Sequence, residues 1–196
     1  MEVLNLPATP QSSASFSILR RHAAIRLGIL TLLAFFFEIP SALAQTRKPE
    51  EVKAAFLYNF ARFVEWPAKA FESPASPFVI GIAGDENVAT ELQAMVKGEK
   101  IGNRPFQVRS CRRPRDGEGC HLLYIGGRVK ADEFLDVAKN DPVLTVGDAT
   151  DFLRHGGIVQ FVTERTIRLR IDLRNARRAS LTISSQLLRL AEIENQ

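Results

Sequence analysis

Apolar and polar positions alternate along this chain in two different periods, and the period changes mark its elements. From Lys53 to Val64, the residues Ala54, Phe56, Leu57, Phe60, Ala61 and Val64 recur at helical spacing. Pro67 ends that helix soon after Trp66, because the residue before a proline is pushed out of the α region. A loop with Pro74 and Pro77 leads to the apolar run Phe78 to Ala83, which predicts a buried strand. Gly84-Asp85 then opens a helix over Glu86 to Val96, with Asp85 as its N-cap. After a turn at Gly102-Asn103 come strands at Phe106 to Arg109 and His121 to Ile125, then Gly126-Gly127 and a helix over Lys130 to Lys139. Val143 to Val146 predicts another strand, and Gly147-Asp148 leads into a short helix ending near His155.

The rhythm changes after Gly156-Gly157. Ile158 to Val162 and the half-exposed pattern Ile167 to Ile171 are separated by four residues, so an antiparallel hairpin is expected. The last pattern, Ser185 to Ile193, predicts a helix capped by Ser184 or Ser185 that buries Leu187, Leu188, Leu190 and Ala191. Strands alternating with helices argue for an α/β class. The expected architecture is a layered α/β/α domain over residues 45–196: a mostly parallel sheet, a C-terminal antiparallel hairpin, and terminal helices packed together.

The N-terminal 44 residues follow neither period. Arg20, Arg21 and Arg26 precede an apolar run from Leu27 to Phe37, and Ser41-Ala42-Leu43-Ala44 supplies small residues at the −3 and −1 positions. This predicts a secretory signal with Gln45 as the first mature residue, behind an unstructured leader over residues 1–19. Glu38 and Pro40 close the run well short of the roughly 20 apolar residues of a membrane span. An uncleaved N-terminal anchor is the competing reading, and a twin-arginine reading of Arg20-Arg21 fits the following residues poorly. A start codon later than Met1 is also compatible with the pattern. The expected location is the periplasm.

Charge and chemistry narrow the classes. The chain carries +4, and residues 1–44 hold three basic and two acidic side chains, so the mature part keeps +3 spread along its length. That does not argue for nucleic acid. The one basic concentration is Arg165, Arg168, Arg170, Arg174, Arg177 and Arg178, which suits either an acidic or lipid-headgroup contact or arginines turned outward from a strand and helix. Cys111 and Cys120 in an exported chain imply a disulfide, worth about 2.5 to 3 kcal/mol for a loop of this length. The alternatives are a redox-sensing bond and a metal site with His121 and His155. The second is disfavoured because adjacent strand residues Cys120 and His121 point to opposite faces. No nucleophile elbow, phosphate loop, zincin helix or dinucleotide fingerprint occurs, and two mature histidines are thin equipment for acid and base catalysis. Gly81-x-x-Gly84-Asp85 lies where α/β folds bind ligands, but two glycines three apart are a weak signal that tight strand-to-helix packing explains. Asp148 and Asp151 suit a carboxylate pair or solvated first-turn acids.

Both ends of the mature chain are specific. Val52-Lys53-Ala54-Ala55-Phe56-Leu57-Tyr58-Asn59-Phe60-Ala61-Arg62-Phe63-Val64-Glu65-Trp66-Pro67 resembles the opening block of the YfiR-like periplasmic regulators. Ile167 to Leu173, Ala176-Arg177-Arg178 and Ile183 to Ala191 resemble the closing block, with Cys120 to Ile125, Gly147-Asp148, Phe152 and Gly156-Gly157 in matching order between. This chain has cysteines for one bond where members with two disulfides exist, and Asp172 where the family has asparagine. The resemblance implies a non-enzymatic repressor, without cofactor or metal, that holds an inner-membrane diguanylate cyclase inactive by binding its periplasmic region. It further implies a homodimer and an outer-membrane lipoprotein that sequesters the regulator.

Under that resemblance, Asn59, Glu65, Trp66, Phe152, Glu164, Arg177 and Arg178 are the partner-contact candidates. Capping, packing or plain exposure is the competing account of each. A second class is a periplasmic small-ligand module feeding a membrane sensor such as a histidine kinase, with a pocket near Gly84 or Gly126. A third, an enzyme, requires Cys111 or Cys120 as a free reactive thiol.

Overall fold

A computed structural model of the chain describes residues 47–194, and the predicted signal segment lies outside the described residues. The first helix, α1 (Pro49–Phe63), begins with proline and two acids, where the orphan amides and the helix dipole favour them. It ends before Trp66 because Val64 turns extended and Val64–Glu65 becomes a short strand, β1. β2 (Phe78–Ala83) is buried throughout. α2 (Glu86–Met95) is capped by Asp85, whose side chain accepts from the Val88 amide at 3.3 Å. β3 (Lys100–Ile101) and β4 (Arg104–Ser110) form a hairpin across Gly102, whose φ of 57° suits glycine. Then come β5 (Leu122–Ile125), α3 (Ala131–Ala138), β6 (Leu144–Gly147), β7 (Val159–Thr163) and β8 (Ile167–Ile171). α4 (Leu173–Arg178), β9 (Thr182–Ile183), α5 (Ser185–Leu188) and β10 (Ala191–Ile193) close the chain.

The main sheet has eight strands in the order β10-β8-β7-β6-β5-β2-β4-β3. β4, β2, β5, β6 and β7 run parallel, β8 is antiparallel to β7, and β10 is parallel to β8. β1 and β9 form a separate two-stranded ribbon that ties the end of α1 to the segment after α4. The mixed α/β class is thus as the periodicity predicts.

Strand alternation sorts the core into two layers. Phe78, Ile80, Ile82, Leu122, Tyr124, Leu144, Val146 and Phe161 face α1 and α2. Val79, Ala83, Leu123 and Ile125 face α3 together with Cys111, Cys120 and Phe152. Rings of Phe56, Phe60, Tyr124 and Phe161 lie 5.8 to 6.2 Å apart between α1 and the sheet, a spacing that suits tilted and offset aromatic pairs.

Several elements differ from the sequence expectation. The helix expected after Asp148 is a series of turns, because Phe152 is drawn inward between two glycines and no helical stripe survives that geometry. The last helix stops at Leu188, and Ala191–Ile193 instead pairs with the outer edge of β8, leaving Leu190 68% exposed. An uncovered β8 edge carries a row of unpaired backbone groups, and satisfying them outweighs five more helical residues. The pairing continues to Glu194, whose amide donates to the Ile171 carbonyl at 2.9 Å. α4 carries Arg174, Arg177 and Arg178, and Asp172 starts it by accepting from the Arg174 and Asn175 amides.

Candidate surface, buried polar cluster and thiol pair

The parallel strands give the sheet a carboxyl edge, where β2, β5 and β6 end, and an opposite amino edge, where β8 also ends. α1 enters over the carboxyl edge. There Lys53 Nζ lies 2.8 Å from Asp148 Oδ2 and 3.2 Å from the Tyr124 hydroxyl, which itself donates to the same Asp148 oxygen at 2.6 Å. The Lys53 and Asp148 side chains are 13% and 21% exposed, and Tyr124 is fully buried. Burial, then the Asp148 carboxylate, pushes the Tyr124 phenol far up, so it stays a donor. Asp148 therefore works with a lysine 95 residues away and not with Asp151, which is exposed and 4.0 Å from Arg154. Two signals pointed to this cluster: a lysine within an apolar helix face and a tyrosine within an apolar strand.

The order β4-β2-β5 places a topological switch between β2 and β5, where open α/β sheets bind ligands. Here the backbones close that gap. The Gly126 amide donates to the Ala83 carbonyl at 2.8 Å, and a Cβ on Gly126 would lie 3.2 Å from both the Ala83 and Gly84 oxygens. The expected pocket near Gly84 or Gly126 has no room at this point.

Cys111 and Cys120 are both buried and both free thiols in this structure. Their sulfurs lie 2.9 and 2.8 Å from the position a Gly81 Cβ would take, so Gly81 is glycine because the two cysteines fill its space. The contact from Cys120 lowers the Cys111 thiol, with burial opposing and Arg109 assisting, while Cys120 is pushed up by the same contact and by burial. His121 turns to the other face, stacked on Phe71 and Phe78 with centroids 4.5 and 5.1 Å away. Its Nδ1 accepts from the Val79 amide and Nε2 donates to the Ala70 carbonyl, each at 3.0 Å. His155 is exposed and bonded to Asp132. Cys120, His121 and His155 therefore point in three directions.

The contact candidates separate between the two edges. Glu65 is exposed in β1, opposite Thr182. Trp66 is half-buried, its indole donating to the His121 carbonyl at 3.0 Å and its ring edge-on to Phe78. Arg177 and Arg178 are exposed on α4, after the end of β8. These four lie at the amino edge. Asn59 is half-buried and its amide bonds back to the Ala55 carbonyl within α1. Glu164 is exposed at the β7–β8 turn, on the carboxyl edge, and accepts from Arg168 at 2.6 Å. Phe152 is 1% exposed and offers no surface to a partner in this fold.

The family model described as YfiR/HmsC-like (DUF4154) matches residues 50–192. The chain belongs to the YfiR/HmsC-like family. As a family, its members are periplasmic regulators of cyclic di-GMP signalling, regulatory rather than catalytic. No curated protein matches this chain. Among solved structures, a conserved domain protein from Vibrio cholerae O1 biovar El Tor str. N16961 is 13% identical, with a TM-score of 0.49. The match covers 74% of the YfiR/HmsC-like chain and 60% of that protein, so this chain spans about three fifths of the neighbour's length. Among the described residues no helix is long and apolar enough to cross a membrane.

Proposed function

We propose that this protein is exported through its N-terminal signal and represses an inner-membrane diguanylate cyclase by binding the cyclase's periplasmic region. The family match over residues 50–192 is the observation that carries this reading. The amino edge, with Glu65, Trp66, Arg177 and Arg178, is the contact surface we assign, because it joins both family-like blocks of the sequence through the β1–β9 ribbon. Repression follows if the partner's inactive state is bound more tightly than its active state. A sequestering outer-membrane lipoprotein and a homodimer belong to the same reading.

We further assign Cys111 and Cys120 as a disulfide pair in the oxidised protein. Two adjacent thiols give two electrons and two protons to the disulfide of a periplasmic oxidant, which is reduced to its dithiol, and the new bond closes a loop that the fold has already formed. Mass spectrometry of protein purified from the periplasm, alkylated before and after reduction, shows no alkyl group before reduction and two after it, at Cys111 and Cys120, if the bond is present.

The test of repression is cellular cyclic di-GMP after deletion of the gene, followed by return of either the full chain or one lacking residues 1–44. A rise on deletion that only the full chain reverses supports the reading. An unchanged nucleotide level refutes it and favours a sensor of another kind, such as a histidine kinase.

A further inference from the structure

A cavity of about 160 Å³ opens at the amino edge, between the C-terminal end of α3 and α4, over the start of β6. Its inner wall is apolar, formed by Leu135, Val143 and Ile158, all buried. One polar group interrupts that wall. Thr145 is only 4% exposed, its Oγ1 accepts from the Ile158 amide at 3.1 Å, and its own hydroxyl proton has no acceptor among the described residues. A buried donor left unspent costs free energy that a ligand's acceptor removes.

The mouth is cationic. Lys139 and Arg178 line it, and neither takes part in an ion pair among the described residues, unlike Arg168, Arg170 and Arg174 nearby in sequence. Asp136 is the one carboxylate on the lining, and His155, also on it, is held by Asp132. Asn175 forms a fixed side wall, its amide donating to the Leu153 and Gly157 carbonyls at 3.2 and 2.9 Å. An anionic group at the mouth meets two cations, a short apolar stem meets the wall, and an acceptor at the far end meets Thr145.

We infer that this cavity is a binding site for a small organic anion with a second acceptor, a short dicarboxylate or oxo acid. The site stands on its own geometry and holds whether or not the partner is a diguanylate cyclase. It lies beside Arg177 and Arg178, so occupancy changes the charge of the surface assigned above to the partner. This ligand site lies at the amino edge and not at the carboxyl edge, where open α/β sheets bind ligands.

The test is thermal unfolding of the full mature chain with succinate titrated at constant ionic strength, repeated with butyrate and with inorganic phosphate. A ligand that binds only the folded state raises Tm in proportion to the logarithm of its concentration above Kd. Succinate is expected to raise Tm, butyrate to need at least tenfold more, and both R178Q and T145V to need at least tenfold more succinate. Arg178 is exposed, so R178Q folds as the wild type does; T145V keeps the side-chain shape but leaves the Ile158 amide without its acceptor, so each variant's response is read against its own ligand-free Tm. A wild type that does not respond to succinate overturns the inference. So does a response shared equally by butyrate or phosphate, or one that R178Q and T145V leave unchanged.

Discussion

Phe152 separates a packing role from a contact role most sharply, and its replacement by alanine can be worked through in numbers. The ring is 1% exposed and fills the space that side chains would otherwise take at two glycines. A Cβ on Gly147 would meet it at 2.5 Å and one on Gly157 at 2.2 Å. Removing a ring so enclosed costs about 3–5 kcal/mol, since the lost transfer energy adds to that of a cavity two glycines cannot refill. With a urea slope of about 2 kcal/mol/M, the unfolding midpoint falls by about 1.5–2.5 M. The converse change, Gly157→Ala, drives a methyl into the ring and costs about 1–3 kcal/mol. The Phe152→Ala/Gly157→Ala double variant should recover part of that, a coupling of about 1–2 kcal/mol in a double-mutant cycle. Equilibrium urea unfolding followed by Trp66 fluorescence and circular dichroism measures all four proteins. A Phe152→Ala midpoint within about 0.5 M of wild type, together with lost partner binding, would refute the packing argument and return Phe152 to the surface.

His121 sets a pH dependence. Burial holds its imidazole below the usual histidine range, while the unfolded chain protonates near the ordinary value of about 6.5. The folded state then binds fewer protons, so stability is full above about pH 6.5 and falls as pH drops toward the depressed native value. Urea midpoints of wild type and His121→Gln at pH 7.5 and 5.0 should show the steeper loss in wild type, and parallel losses count against it. Lys53→Met leaves the Asp148 carboxylate without its cation, and because the pair is partly exposed the expected cost is about 2–3 kcal/mol, at or below the range for fully buried pairs. Tyr124→Phe removes the hydroxyl's bonds to Lys53 and Asp148 but leaves that charged pair intact, and should cost about 1.5 kcal/mol, an order that chemical denaturation will confirm or reverse. Asp172→Ala removes the cap of α4 and costs about 1–2 kcal/mol, while Asp172→Asn should be near neutral because asparagine caps as well. A large loss in Asp172→Asn would show that the ion pair to Arg174 matters more than the cap.

The elements that the sequence alone determined are those whose stabilising partners are close in the chain or whose pattern is unambiguous. β2 lies where its apolar run predicts, α2 starts at its Asp85 cap, and β7 and β8 form the expected antiparallel hairpin, across three residues, because caps, short turns and alternation are local physics. Tertiary structure decided the rest. Ala191–Ile193 had helical spacing, yet the open edge of β8 drew it into a strand, since unpaired backbone groups outweigh weak local propensity. Phe152 was a contact candidate with buried packing as the competing account, and Gly147 and Gly157, brought around it by the fold, favour the packing. Lys53 and Asp148 are 95 residues apart, and the cavity beside Arg178 gathers α3, β6 and α4. Such sites are made by chain crossings that no local pattern encodes, so the sequence supplied their residues and only the fold supplied their neighbours.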